Sequence, residues 1–328
     1  MSEPTATAEL IEDRGEAAVS EDFFRSRPFL DAEGVTHTLR IVAGDTELLA
    51  PLIVREIPGT EERDAISPYG YPGFAVFSTD PYVDHAKVGA TYGSALDPEA
   101  ADFSATGLVS AFIRHTLADP PPLAGSTSRN VVQIADPELQ RKSRPSDRNQ
   151  VNKNRRAGYE VAVVPGPETT AEQRAGFLAA YEQTMRRTGA AEHYFFGAGY
   201  FERILESPRA WLALCRSPAG EPTAASIAAH SDGFLHYYLS GSADATLRDS
   251  PMKNVVATLV ELSADLGLPL NLGGGISAGD RLEDFKRGFA NREQPWRTSE
   301  VVCDPKAYER LSADRPPSGF FPLYRAPG

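Results

Sequence analysis

Three consecutive glycines, Gly273–Gly275, stand between the apolar run Leu268–Leu272 and a segment of helical spacing, Asp280–Phe289. Three residues without Cβ atoms cannot continue a regular strand or helix at ordinary cost. They are either a place where backbone N–H groups approach a ligand closely at the mouth of a helix or simply a tight strand-to-helix turn. Asp280 is a residue type that opens helices. From it, Leu282, Phe285 and Phe289 are predicted on the core-facing side. Lys286 falls on the same side, where an unpaired ammonium costs several kcal/mol or shifts its pKa. Two readings stand: the head reaches a site, or the stem lies along the core edge and the head snorkels to water.

The 328 residues suffice for one large domain or two of ordinary size. A net charge of −12 means the average surface repels nucleic acid and anionic membrane, so a polyanionic partner needs a local basic patch. Only Cys215 and Cys303 are present, which excludes a disulfide framework and offers no metal-ligand spacing. No apolar run has the length of a membrane span, and Met1–Ser20 is acidic where a signal peptide is basic and apolar. The expectation is a cytoplasmic protein without a metal. The glycines are not followed by Gly-Lys-Ser/Thr, and Gly-x-Gly-x-x-Gly and His-Glu-x-x-His are absent.

Residues 1–20, without periodicity, read as a disordered tail. Thr38–Val42 and Leu48–Ile57 form a predicted hairpin. Ser67-Pro-Tyr-Gly-Tyr-Pro-Gly73 is either a structural corner or a ligand-lining loop, and the strand-like Phe74–Phe77 follows. Asp97–Ala118 is predicted helical up to the triple proline, and Asn130–Ala135 a strand. Between Arg141 and Arg156 seven Lys or Arg face one Asp147, a local charge of +6. Ser146 or Asp147 would cap a helix there, closed by Gly158. It is either a solvated face or the footprint of a phosphate-bearing partner.

A linker at Pro165–Thr169 sets the expected halves at 21–165 and 166–328. The second half opens with a capping box, Thr170 with Gln173, on a helix carrying Phe177 and Tyr181 and ending near Gly189. The aromatics His193–Phe196 and Tyr200–Phe201 that follow are core or a binding surface. Three strands follow (Trp211–Cys215, Thr223–His230 and Gly233–Ser240), then a helix capped by Ser250 and ended by Gly267, the strand into the glycines, a last strand at Ser299–Cys303, and an irregular tail from Pro316.

Four segments, Ser67–Gly73, the basic Asp147–Gly158 run with strand Tyr159–Val164, Phe177–Phe201, and Tyr237-Tyr-Leu-Ser-Gly241 through Phe289, together resemble the Fem family of aminoacyl-tRNA-dependent peptidyl transferases, within the GNAT acetyltransferase superfamily. Gly-Gly-Gly followed by Asp-Phe-Lys-x-x-Phe is the most specific part. The resemblance implies an α+β fold of two tandem GNAT-like halves, each a mixed sheet flanked by helices, facing across a cleft, with no cofactor. It implies transfer of an amino acid from aminoacyl-tRNA to the amine of a small acceptor, a specialised metabolite or cell-wall precursor. It makes Lys286 the catalytic candidate. Tyr69, Tyr71, Tyr181, Arg186, Tyr194, Phe196, Tyr238, Gly273, Gly274, Gly275 and Phe285 are the substrate-binding candidates, and Arg148, Lys153, Arg155 and Arg156 the tRNA-binding ones. An acyl-CoA-dependent N-acyltransferase is the alternative. Its pyrophosphate loop would fall at Thr246–Lys253, which has no glycine and carries Asp249. A non-catalytic binding member of the same fold is the third reading.

Overall fold

The computed structural model describes residues 6–78, 101–117, 121–277 and 279–327. The chain divides into two compact units, one of residues 1–20, 24–129 and 296–328, the other of residues 21–23 and 130–295. The fold is α+β.

The first unit begins with β1 (Ala6–Ile11), inside the stretch expected to be a disordered tail. Its Ala-Thr-Ala-Glu-Leu-Ile sequence alternates buried and exposed positions at period two, and the small size of Ala6 and Ala8 hides that pattern. Asp13 ties the segment down by accepting from the Gly15 and Ala17 N–H groups and from Thr38 Oγ1. After α1 (Arg27–Ala32), the strands β2 (His37–Ala43) and β3 (Thr46–Glu56) form the predicted hairpin. β3 then pairs antiparallel with β4 (Arg63–Ile66) through its second half and with β5 (Ala75–Ser78) through its first. The helix predicted over 97–118 is corrected: residues 97–100 and 118 lie outside the described residues, and the remainder contains β6 (Ala101–Asp102) and β7 (Leu108–Arg114). β7 is buried on both faces, so its apolar run lacks the alternation that marks a half-exposed strand. It runs parallel to β4.

The second unit takes up the chain within β8 (Thr127–Ala135) and continues with α2 (Pro145–Arg156), β9 (Glu160–Pro165), α3 (Ala171–Thr188) and α4 (Ala198–Ile204). The strands β10 (Ala210–Arg216), β11 (Pro222–Ser231) and β12 (Phe234–Ser242) follow, then α5 (Met252–Leu266), β13 (Leu270–Asn271), α6 (Arg281–Arg287) and β14 (Arg292–Val302). The boundary expected at 165/166 is corrected. β9 pairs antiparallel with β10, so it belongs to this unit, and a Cβ at Gly166 would lie 2.4 Å from the Leu205 carbonyl oxygen. A segment packed that tightly is not a linker. Thr170 and Gln173 make the predicted capping box, and Gly189 closes α3 at φ +61°. Ser250 does not cap α5. It sits at φ +49°, and Pro251 occupies the N-cap.

The chain returns to the first unit with residues 298–302 of β14, antiparallel to β7, and with α7 (Pro305–Ser312). The residues beyond Pro316 are irregular yet anchored: Tyr324 is buried with its OH 2.8 Å from Ser110 Oγ, and Arg325 pairs with the buried Asp64.

Each unit repeats one pattern. Four antiparallel strands (β1 to β4; β9 to β12) are followed by one parallel strand (β7; β13), itself paired antiparallel to one more (β14; β8). The second unit's core includes Leu235, Val255, Leu259, Leu270 and Leu272, with Phe289 closing it beside α6.

Candidate functional site

β12 and β13 run parallel for only two residue pairs, Leu235 with Leu270 and His236 with Asn271. Beyond them β12 continues to Ser242 against β11, while the other chain leaves as the glycine turn. A buried polar relay marks the parting. The Asn271 side-chain amide donates to His236 Nδ1 at 3.0 Å, and its oxygen accepts the Gly273 N–H at 2.8 Å. His236 Nε2 then donates to the Ser231 carbonyl at 3.3 Å. Burial pulls the His236 pKa down to about 3, which keeps the ring neutral and the relay in one tautomer.

Each carbonyl of the three glycines has its own donor. Gly273 O accepts from Gln133 N at 3.1 Å, Gly274 O from Lys286 Nζ at 2.7 Å, and Gly275 O from Asn130 Nδ2 at 2.8 Å. Asp280 caps α6 by accepting the Glu283 N–H, and its other oxygen takes the N–H groups of Ile276 and Ser277 at 2.7 and 3.0 Å. Those donors, Glu283 first, hold the Asp280 carboxyl below its usual range. Glycine is sterically required here: a Cβ at Gly274 would lie 2.5 Å from the Asn130 amide, and one at Gly275 2.6 Å from Asp280 Oδ1.

In a trans peptide the N–H points opposite to the preceding carbonyl. Gln133 fixes the Gly273 carbonyl and Lys286 the Gly274 carbonyl, so the Gly274 N–H points away from Gln133 and the Gly275 N–H away from Lys286. Neither donates a hydrogen bond among the described residues, and both glycines are half-buried. Two successive backbone N–H groups without an acceptor among the described residues are the donor type that an anion takes.

Lys286 is only 8 % exposed, so its head is under the glycine turn rather than in water. Burial lowers its pKa to about 8, opposed by the charge of Asp280. Phe285 lies alongside, its ring 5.7 Å from that of Phe289. Leu282, expected on the buried side, is 40 % exposed, and Glu283 is buried in its place. The cap at Asp280 sets where this two-turn helix begins, and its inward positions are therefore Glu283 and Lys286, three apart.

A second cluster sits where α3 and α4 cover β12. A Cβ at Gly241 would lie 2.4 Å from the Tyr181 backbone, so its absence lets α3 lie directly on the strand. Tyr181 is fully buried against Phe177 and Phe201, and its OH donates to the Tyr194 carbonyl at 2.7 Å. Phe196 stacks on Tyr200 with centroids 4.1 Å apart, and the hydroxyls of Tyr200 and Tyr238 meet at 2.9 Å. Tyr181, Tyr194, Phe196 and Tyr238 are thus brought together, and Tyr200, absent from the predicted set, joins them. Only its place in the aromatic run signalled it. Arg186 stands apart on the surface, paired with Glu182.

On α2, Arg148 and Arg155 share a face with Val151 and Asn152, and all four line a groove of about 340 Å³ against α5. Lys153 and Arg156 are exposed but do not line it. In the first unit, Ser67 and Gly73 donate their N–H groups to the Phe112 and Arg114 carbonyls, which holds the Pro/Gly segment along β7. The Tyr69 N–H donates to Glu33 at 2.7 Å, and the Tyr71 ring lies 5.6 Å from Phe24 and 5.5 Å from Trp296.

The residues ahead of α5 serve the protein itself. The Asp249 carboxylate accepts from Tyr159 OH at 2.8 Å, and its carbonyl accepts from Gln150 and Asn154 at 3.1 and 2.7 Å. Pro251 has no N–H, and the Lys253 and Asn254 N–H groups donate to the Ser250 and Pro251 carbonyls.

Residues 141–287 match the acetyltransferase (GNAT) domain family. Among solved structures the chain resembles FemX, with a TM-score of 0.58, 14% identity, and 83% of this chain and 90% of that one covered. It also resembles the C-terminal domain of a putative lysylphosphatidylglycerol synthetase from Agrobacterium fabrum, with a TM-score of 0.53, 14% identity, and 90% and 92% covered. No curated protein sequence is detectably similar. The likenesses to solved structures establish a common fold, and no helix among the described residues is long and apolar enough to cross a membrane. The stretch matched by the acetyltransferase (GNAT) domain family holds the basic helix, the aromatic cluster, the glycine turn and Lys286.

Proposed function

We propose that the protein forms an amide bond by moving an amino acid from the ester of an aminoacyl-tRNA to the amine of a small acceptor, and that the glycine turn over Lys286 is where the acyl group reacts. The observation that carries this reading is the pair of N–H groups at Gly274 and Gly275 that have no acceptor among the described residues, with Lys286 clamping the carbonyl between them. The ester is already activated. The amine nitrogen attacks the carbonyl carbon, a tetrahedral oxyanion forms, the carbon–oxygen bond to the ribose breaks, and the ribose oxygen leaves carrying the proton the amine gives up. A protein promoting this must align the two groups and stabilise the oxyanion. The Gly274 and Gly275 N–H groups supply the donors, and the Lys286 ammonium supplies positive charge behind them.

The segment ahead of α5 supports this donor over acyl-CoA. The Ser250, Lys253 and Asn254 N–H groups are spent on local turns, and Asp249 places a carboxylate where a pyrophosphate would need donors. The acceptor, a specialised metabolite or a cell-wall precursor, would meet the aromatic cluster around Tyr200 and Tyr238. Incubation with tRNA, synthetase, amino acid and candidate amines tests the reading. Product is expected and should vanish when ribonuclease destroys the charged tRNA. Product that survives ribonuclease, or thermal protection by acyl-CoA in its place, refutes it.

A further inference from the structure

The groove between α2 and α5 has two features that a merely solvated basic helix lacks. Its walls carry Arg141, Lys142, Arg148 and Arg155, while its floor is apolar, made by Val151, Ala257 and Phe289. At about 340 Å³ it lies within the ~300–1,000 Å³ range of small-ligand sites. It also contains its own counter-ion. Glu261, from α5, accepts from Arg155 at 3.0 and 3.3 Å and lies 3.9 Å from Arg141. Cations over an apolar floor, in a chain of net charge −12, complement a ligand that pairs phosphates with flat rings.

We propose that this groove receives the single-stranded end of the donor RNA, with phosphates on Arg148 and Arg155 and a base against the Val151 and Phe289 floor, and that Glu261 holds the Arg155 guanidinium in its absence, while Arg148 rests on the Ser143 carbonyl. The inference rests on the RNA-donor reading. A phosphate displacing the Glu261 carboxylate keeps the charge-assisted hydrogen bonds of Arg155 intact, while the displaced carboxylate repels the incoming charge. Glu261 therefore weakens binding and confines it to ligands able to compete for Arg155. Phe289 lies three residues beyond Lys286, and its N–H donates to the Lys286 carbonyl, so the groove floor is continuous with the helix that supports the glycine turn.

The test measures affinity of the full chain, by fluorescence anisotropy over a salt series, for an acceptor-stem hairpin with a single-stranded 3′ end and for the same hairpin made blunt. The overhang should bind more tightly than the blunt form. Arg148→Glu with Arg155→Glu should weaken it at least tenfold and reduce the salt slope by about 1.4, at about 0.7 per phosphate contact on a single strand. Glu261→Gln should tighten it about threefold or more. Lys153→Glu with Arg156→Glu, an equal change in charge off the groove, should cost less than threefold. All these residues except Glu261 are exposed, and unchanged melting temperatures confirm that the variants fold. Equal losses in the two charge reversals, an unimproved Glu261→Gln, or equal affinity for the blunt hairpin overturns the groove. If the reaction stays ribonuclease-sensitive, such results remove the groove alone. A ribonuclease-resistant reaction removes the donor reading and the groove with it.

Discussion

Replacing Lys286 with methionine separates what its charge costs the fold from what it contributes. The lysine pKa falls from 10.5 in the unfolded chain to about 8 in place, because burial disfavours the ammonium. Between those values the unfolded chain binds more protons, so the native state gains stability as pH rises from 8 towards 10.5. Below pH 8 the burial therefore costs about 3 kcal/mol, from ~1.36 kcal/mol per pKa unit. At pH 10 about 0.8 kcal/mol of that cost is left. Methionine has a similar shape and no charge, but it leaves the Gly274 carbonyl without its donor, a loss of roughly 1–3 kcal/mol at any pH. Lys286→Met should thus be near neutral or stabilising at pH 7 and clearly destabilising at pH 10, a relative swing of about 2.5 kcal/mol. Urea unfolding of both proteins across pH 6.5 to 10 reads this directly, as the difference between two curves in which all other titrations cancel. A constant difference across that range would mean that the native lysine keeps an ordinary pKa, and the charge-behind-the-turn argument would fail with it.

Activity should show the same titration with another sign. If the ammonium is the useful form, kcat falls as pH rises through about 8, and Lys286→Met loses both the rate and that limb of the profile. Gly274→Ala drives a Cβ to 2.5 Å from the Asn130 amide and should lower kcat at least tenfold with a smaller change in KM, since it reshapes the donor pair. Gly241→Ala sets a Cβ 2.4 Å from the Tyr181 backbone and should destabilise the second unit by about 1–3 kcal/mol in denaturant melts, by forcing α3 off β12. Tyr200→Phe removes one hydroxyl of the Tyr200–Tyr238 pair. It should raise KM for the acceptor while leaving that for charged tRNA unchanged, as steady-state kinetics with each substrate varied will show.

The hairpin of β2 and β3, the capping box of α3, the three strands of the second unit and the cap at Asp280 were legible because each rests on local chemistry: alternation, a side chain reaching a nearby N–H, a glycine at positive φ. What misled was equally physical. β7 is buried on both faces and shows no period, and β1 alternates with alanines too small to register as a stripe. Pro165–Thr169 has a linker's composition but sits against the Leu205 carbonyl, a contact forty residues away that no window along the chain contains. In the site, the glycines and Lys286 were visible by residue type, whereas their partners were not. Asn130 and Gln133 come from β8, and only its pairing with β13 brings them to the turn, whereas Asn271 reaches the Gly273 N–H from two residues away.

The position of Lys286 also bears on why its charge is tolerated at all. A buried ammonium without a carboxylate bonded to it normally gives way to a neutral residue, because the desolvation cost is not recovered. Here, among the described residues, the head is held by one carbonyl, and Asp280, whose charge opposes the shift, spends its oxygens on backbone N–H groups of the turn and of the first turn of α6. The turn is thus pinned from two sides, by a cation on one of its carbonyls and an anion on two of its N–H groups. Methionine in place of Lys286 would remove one pin and relieve the cost. A glutamine there would supply an N–H to the Gly274 carbonyl with no charge, so if the role were only to hold the turn, Lys286→Gln would preserve turnover. Loss of turnover in Lys286→Gln, with a normal melting temperature, is the outcome that assigns the charge itself to the reaction.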